Sequence, residues 1–332
     1  MPVFNGEAYL GDAIESILNQ SFRDFEFIII NDGSTDGTSR ILNHFQQQDN
    51  RIRCYDQSNQ GLGNTLNAGL KLARGKYIAR MDADDASHPE RLAKQVAFME
   101  MHPEIGVCGT WVKTIGKPSG EIWRYPTDDA TIRCRLLFES SLAHPSVIMR
   151  HVLFTRTGLD YRLEYSPAED YDLWVRASTH CLFANLSEVL LSYRLHESQI
   201  TQRSRAVKED NADRVRLTQL QQLGLCPSTE ELELHHTISM WQFRATQDFV
   251  LQADAWLRKL KAANDMVGVY SRPAFSTVLG ERWYWVCRRM TRLGLWTFRR
   301  FHQSPFAAAA ALPWQQCLKF TLKCVIKWPS YG

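Results

Sequence analysis

Hydrophobic positions over the first 193 residues switch between two periods. From residue 7 to 20, Tyr9, Leu10, Ala13, Ile14, Ile17 and Leu18 recur at helical spacing, which predicts one buried helix face. FEFIII (25–30) is a short continuous apolar run, the pattern of a strand covered on both sides. The loop NDGSTDGTS follows, with Ser34 or Thr35 placed to cap a helix from about Thr38. IRCY (52–55) reads as a strand, 62–74 as a helix closed by Gly75, and KYIARM (76–81) as a strand before a Pro89-led helix. IGVCGTWVKTI (105–115) and SVIMR (146–150) read as further strands, and EDYDLWVRAS (169–178) as a helix. LFANL (182–186) and VLLSY (189–193) read as a closing hairpin. Strands alternating with helices predict an α/β fold with a mixed, mainly parallel sheet flanked by helices. Beyond about Thr201 only helical patterns remain, near 205–223, 228–240, 244–263 and 274–293. The polar stretch HESQITQRSR (196–205) is the expected divide, giving domains 1–202 and 203–332, the second a helical C-terminal extension.

Composition adds little over the first part and more over the second. The chain is 44% hydrophobic and 23% charged with net charge +3, values of a globular protein. From Arg282 onward there are nine Lys/Arg, no Asp/Glu and five of the ten Trp. The eight Cys form no CxxC pair, so a zinc site or disulfide framework is not expected and a reducing compartment fits. No secretory leader pattern is evident, and no apolar run reaches the length of a membrane-spanning helix.

The candidate chemistry sits where strands end. YIARMDADDASHPERL (77–92) runs from an apolar strand into Asp82, Asp84 and Asp85. Residues two apart on an extended end face the same side, so Asp82 and Asp84 can share a hard divalent cation through oxygen. A bare D-x-D is also what a solvated acidic turn looks like. An EF-hand is excluded, because the sixth position from Asp82 is Ser87 rather than Gly. Asp32 ends its own strand and can accept from a base N–H or a ribose hydroxyl, or serve only an Asx turn. Ligands in open α/β sheets bind beyond the strands' carboxyl ends, where both acidic segments fall. The dinucleotide fingerprint GxGxxG and the phosphate loop GxxxxGK[ST] are absent, which disfavours a dehydrogenase or an ATPase. In SPAEDYDLW, Glu169 and Asp170 open a helix, where acids complement the dipole and where a carboxylate can also act as a general base.

PVFNGEAYLGDAIESILNQSFRDFEFIIINDGSTDGT, then GLGNTLNAGLKLARGKYIARMDADD, then PAEDYDLWVR resemble, in order and spacing, the family 2 glycosyltransferases of the GT-A fold. The resemblance runs from residue 2 to about 202. It implies inverting transfer of a sugar from a nucleotide-sugar donor, usually UDP-linked, to a hydroxyl of a glycan or lipid-linked acceptor, in cell-surface polysaccharide biosynthesis. It also implies Mg2+ or Mn2+ on the donor diphosphate. By position, Pro2, Phe4 and Asn5 correspond to the nucleotide-pocket segment, and Asp32 to the contact with uracil or ribose. Asp82 and Asp84 correspond to the D-x-D pair, with Asp84 the direct metal ligand. Asp170 corresponds to the catalytic base and Glu169 to a residue that binds the acceptor or orients that base. YRLH (193–196) resembles a late motif that puts Arg194 and His196 near the donor phosphates in some members.

Two features depart from the family. Relatives carry an apolar first strand ahead of the segment that opens this chain, so a truncated first strand is expected. GNTLN (63–67) stands where many relatives have an Arg. The shortened strand leaves a second reading, a non-catalytic nucleotide-sugar binder or scaffold. A nucleotidyltransferase would use the metal site without the ED pair. The Trp-rich cationic segment 282–332 is read either as a peripheral contact at the cytosolic membrane face of a cytoplasmic protein or as a helical appendage packed inward. No nucleic-acid-binding motif accompanies it, so nucleic acid is not an expected partner.

Overall fold

The structure, a computed structural model, describes all residues except 118, 198, 200–203, 244, 311 and 329–332. The chain divides into two compact units, Met1–Ile132 with Ser140–Ala212, and Arg133–Glu139 with Asp213–Gly332. The divide expected at 202–203 lies outside the described residues.

In the first unit, β1 (Pro2–Val3), β2 (Phe27–Asn31) and β3 (Ile52–Asp56) form a parallel sheet. α1 (Leu10–Leu18) buries Leu10, Ala13, Ile14 and Ile17 in one cluster with Phe27, Ile29 and Ile52. α2 (Thr38–Gln48) and α3 (Leu62–Leu72) complete the alternation. Neither Ser34 nor Thr35 caps α2. Asp36 Oδ1 accepts from the Thr38 amide (3.0 Å), Glu7 Oε2 accepts from the Gly37 amide (2.9 Å), and Ser34 Oγ is taken by the Asn5 amide (2.9 Å).

The second sheet is mixed. Its order is β4 (Tyr77–Ala79), β8 (Ile148–Arg150), β6 (Ile105–Gly116), β9 (Leu182–Leu195) and β5 (Ala86–Ser87), with β7 (Ile122–Trp123) also on β6. Only β6 and β9 run parallel; the other pairs are antiparallel. α4 (Arg91–Met101), α5 (Asp129–Leu136), α6 (His151–Thr157) and α7 (Glu169–Ala177) lie between these strands in the chain. The hairpin expected over 182–193 is instead one long strand, β9. Ser187 and Glu188 read as a turn, yet the register steps from Thr110–Leu186 to Trp111–Val189, so they form a bulge. Glu188 takes a salt bridge from Lys94 (2.6 Å), which accounts for its charge.

The first strand is short but seated. Pro2 and Val3 pair with Ile30 and Asn31, and the terminal amine donates to Ile28 O at 2.8 Å. Burial, reinforced by the Arg80 charge, pushes that amine down to about 5. Beyond it lies a cavity of about 600 Å³, lined by Ile28 and Ile30 of β2, Tyr77 and Ile78 of β4, and Leu66 and Leu70 of α3. β4 is the end strand of its sheet, so two sheet edges border this one apolar space.

The second unit is helical: α8 (Arg205–Gln222, whose first turns belong to the first unit), α9 (Thr229–Ser239), α10 (Gln247–Val267), α11 (Arg272–Arg289), α12 (Leu295–Gln303), α13 (Phe306–Ala309) and α14 (Trp314–Val325). Ser228 and Glu231 close a capping box at α9. Trp256, Phe275, Trp283, Phe301 and Phe320 share its core.

The cavity beside β2 generates an expectation for stability. Five β-branched residues added ahead of Met1 should continue β1, pair both edges and fill the space. Melting should rise by about 5 °C or more. The same extension with alternating Pro should give no gain, because Pro cannot supply ladder donors. Equal melting temperatures for the two would show that the cavity does not take a strand.

Candidate active site

β4 ends at Ala79, and the chain then buries Arg80 and Met81 before exposing its acids. One carboxylate oxygen from each of Asp82, Asp84 and Asp85 lies within 4.8 Å of the others. β5 follows at once and pairs Ala86 with Ser192 and Ser87 with Leu191, which returns the end of β9 to the acidic turn. The Arg194 amide therefore donates to Asp85 Oδ1 (2.8 Å), and its Nε donates to the Asp84 carbonyl (2.7 Å). The Arg194 guanidinium lies over the Tyr9 ring (4.5 Å) and reaches Asp12 (3.3 Å). His196 Nε2 is 2.9 Å from Asp84 Oδ2, and the Arg80 guanidinium pairs with Asp82.

The cluster is under electrostatic stress. Burial, then the charge of Asp82, raises the Asp84 carboxyl, with His196 opposing. Burial and both neighbouring acids push Asp85 well above the usual carboxylate range. Asp85 Oδ2 is buried without a hydrogen-bond partner among the described residues. Crowded acids and an orphaned oxygen fit a hard divalent cation, which binds carboxylate oxygen and would relieve both. The fit extends to Asp85, beyond the Asp82–Asp84 pair expected from sequence.

Asp82 and Asp84 share a cavity of about 290 Å³ with Glu169 and Asp170 of α7. Glu169 is 3% exposed, and its Oε2 has no hydrogen-bond partner among the described residues. Burial, then the Asp170 charge, raises the Glu169 carboxyl. Burial also raises Asp170, against the opposing charge of Lys208. Lys208 of α8 lines the cavity, as do Trp123, Tyr125 and Tyr193. None of these four was singled out from sequence. Lys208 lies beyond the expected 202–203 divide, and aromatic residues read first as core.

Pro2, Phe4, Asn5 and Asp32 do not line that cavity. Pro2 is in β1, and Phe4 is an exposed ring just beyond it. Asn5 adopts a left-handed conformation (φ 50°), and its Oδ1 accepts from the Thr35 amide at 2.8 Å. Asp32 is buried, accepting from the Gln60 and Gly61 amides (each 2.9 Å) and Gln57 Nε2 (2.7 Å). It holds the turn that leads into α3, and a carboxylate with three donors keeps an acceptor position for a fourth. In the GNTLN segment, Asn67 clamps Tyr161 through its amide and carbonyl, both at 2.8 Å.

The family model described as Glycosyl transferase family 2 matches residues 1–154. An uncharacterized glycosyltransferase of Haemophilus influenzae is 35% identical over 207 residues, which are 59% of this chain and 64% of that protein. The chain thus spans just under two thirds of that relative's length. The O-antigen biosynthesis glycosyltransferase WbnJ of Escherichia coli is 36% identical over 212 residues, 61% of this chain and 81% of the relative. Among solved structures, S. aureus TarS 1-349 in complex with UDP-GlcNAc aligns with a TM-score of 0.59 at 21% identity, covering 86% of this chain and 85% of that one. That likeness concerns the fold. With the D-x-D cluster and the ED pair facing one cavity, and with a relative matched over most of its length, the chain belongs to glycosyl transferase family 2.

Proposed function

We propose that the protein moves a sugar from a UDP-linked donor to a hydroxyl of a glycan or lipid-linked acceptor, with inversion, in cell-surface polysaccharide biosynthesis. The observation that carries this reading is the single cavity bordered by Asp82 and Asp84 on one side and Glu169 and Asp170 on the other. The O-antigen role in the name of the Escherichia coli relative supports the polysaccharide setting. We place the reaction at the cytosolic membrane face; among the described residues no helix is long and apolar enough to cross a membrane.

Asp84 and Asp82, with Asp85 behind them, would hold Mg2+ or Mn2+, which when bound supplies Lewis-acid neutralisation of the leaving diphosphate. The Asp170 carboxylate takes the proton of the attacking hydroxyl. The new bond joins the acceptor oxygen to the anomeric carbon as the bond from that carbon to the phosphate oxygen breaks, its electrons leaving on the diphosphate. One displacement with one base inverts the centre, whereas a double displacement through a carboxylate nucleophile retains it. A desolvated Asp170 with a raised affinity for protons is a better base than a solvated one. The unpartnered Oε2 of Glu169 is an open acceptor for a sugar hydroxyl. A non-catalytic binder is less well supported, because the short β1 coexists with an assembled acidic cluster.

Asp170→Asn should lower kcat on the order of 10²–10⁴-fold while leaving UDP affinity intact. Asp84→Asn should raise the metal concentration needed for half-maximal rate. Full transfer by both variants, followed as nucleotide release across a panel of nucleotide sugars, would remove the role assignments.

The pH profile tests Lys208. Asp170 works unprotonated, so the rate falls as pH drops through its pKa. Lys208 holds that pKa down. Lys208→Met should therefore move the acid limb of kcat/KM to higher pH, and an unmoved limb would show that Lys208 does not act on the base.

Metal should also register in stability. The folded-state carboxyls of Asp84 and Asp85 are raised, so their contribution is lost as pH climbs from the unfolded value through the folded one. Mn2+ opposes that loss. At 100 times its Kd it should stabilise the fold by about 2.7 kcal/mol at neutral pH, and less near pH 5, where protons compete. Calorimetry showing no shift with Mn2+ or Mg2+ at either pH would argue against the site.

A further inference from the structure

We propose that α14 is an interfacial helix that lays one face on an anionic lipid bilayer. The inference rests on the membrane setting proposed above and narrows the contact from residues 282–332 to one helix.

Most of that segment is occupied elsewhere. Trp283 is buried in the core of the helical unit, and Trp285 and Trp296 pack against it. α14 differs. Its Phe320 and Cys324 are buried, and the Phe320 ring lies 5.1 Å from Phe301 and 6.0 Å from Tyr284. The helix is therefore docked within its unit. Trp314, Leu318, Leu322, Val325 and Ile326 are each more than half exposed. At 3.6 residues per turn these five fall within an arc of about 120°. Lys319 and Lys323 border one edge of the arc, between it and Phe320. Just past the helix Trp328 is also exposed, and its backbone is fixed: its amide donates to Lys323 O (2.9 Å) and its carbonyl accepts from Thr291 Oγ1 (2.7 Å).

The helix thus has an anchored face at Phe320 and Cys324, an exposed arc that is apolar except for Gln315, and two lysines between them. Indole rings near both ends of an apolar arc suit a membrane interface, where one part of the ring is dry and its N–H is wet. The helix is about 18 Å long, too short to span a bilayer, so it lies in the surface plane. Charge selects the partner. From residue 282 onward there are nine Lys/Arg and no Asp/Glu, and of these Arg282 is buried and paired with Glu139. A second copy would bring the same excess, whereas anionic headgroups bring the counter-charge.

The full chain should co-sediment with phosphatidylcholine vesicles containing phosphatidylglycerol, weakly with phosphatidylcholine alone, and less as salt rises. The variant combining Leu318→Ser, Leu322→Ser and Val325→Ser should lose about tenfold or more in partitioning. Lys319→Gln and Lys323→Gln should each lose about fivefold. Leu318, Lys319, Leu322 and Val325 are exposed and Lys323 is half-buried, and circular dichroism with melting checks that the variants are folded. The proposal is overturned if the wild type ignores anionic vesicles or if the variants bind equally well. It is also overturned if the variants instead abolish a concentration-dependent dimer without vesicle binding. Sedimentation needs neither donor nor acceptor. Failure there with nucleotide release intact sinks only the lipid surface; failed nucleotide release with intact sedimentation sinks only the transfer reading.

Discussion

Three carboxylates held within 4.8 Å at the end of a strand repel one another, and the surrounding unit is organised to keep them there. Buried Arg80 faces Asp82, and buried Arg91 donates to the Arg80 carbonyl (3.0 Å) and to Pro145 O (2.8 Å), fixing the strand end. Burial lowers Arg91 to about 10, still cationic at neutral pH, so its charge stays beneath the acids. Arg194 closes the other side through its backbone amide and Nε. Asp85 Oδ2 still lacks a hydrogen-bond donor, which leaves stress that an added cation would remove.

This constraint explains why the long strand β9 matters more than the short strand β1. β9 lies against β6 over most of its length and against β5 at its end, and it delivers Tyr193, Arg194 and His196 to the acidic turn. A hairpin over 182–193 would have sent those residues elsewhere. β1 contributes two paired residues, and a cavity bordered by β2 and β4 lies beside it. That cavity does not disturb the partners of Asp82, Asp84 and Asp85.

The sequence made local features legible and long-range ones illegible. FEFIII, IRCY and the 7–20 helix were readable because their periods are set by which face is buried. The three acids were readable as a group because they are neighbours in the chain. Their support was not, since Arg194 lies 109 residues from Asp85 and meets it only through the pairing of β5 with β9. Ser187–Glu188 misled because a polar dipeptide between apolar runs marks a turn and a bulge equally well. Lys208 was invisible because a lysine on a polar helix carries no signal until the helix is placed. Asp32 was legible as a strand-end acid, but the three donors that hold it come from a turn 25 to 29 residues away.

On the proposed reading, the same charge balance orders the binding events. The cavity presents Asp82, Asp84, Glu169 and Asp170, against Arg80 and Lys208. A nucleotide diphosphate approaching alone adds negative charge to a negative wall and finds few cations to meet it. A divalent cation on Asp84 and Asp82 reverses the sign on that side. It also removes the repulsion that raises Asp84. Metal and donor should therefore bind with positive coupling, each increasing the affinity for the other by the same factor. Burial keeps Asp170 raised against the opposing charges of Lys208 and Arg80, while the opposite wall is neutralised. One cavity thus holds a neutralised pole for the leaving group and a protonatable pole for the attacking hydroxyl. In-line displacement needs that asymmetry, and it follows from which carboxylates the fold pairs and which it leaves open.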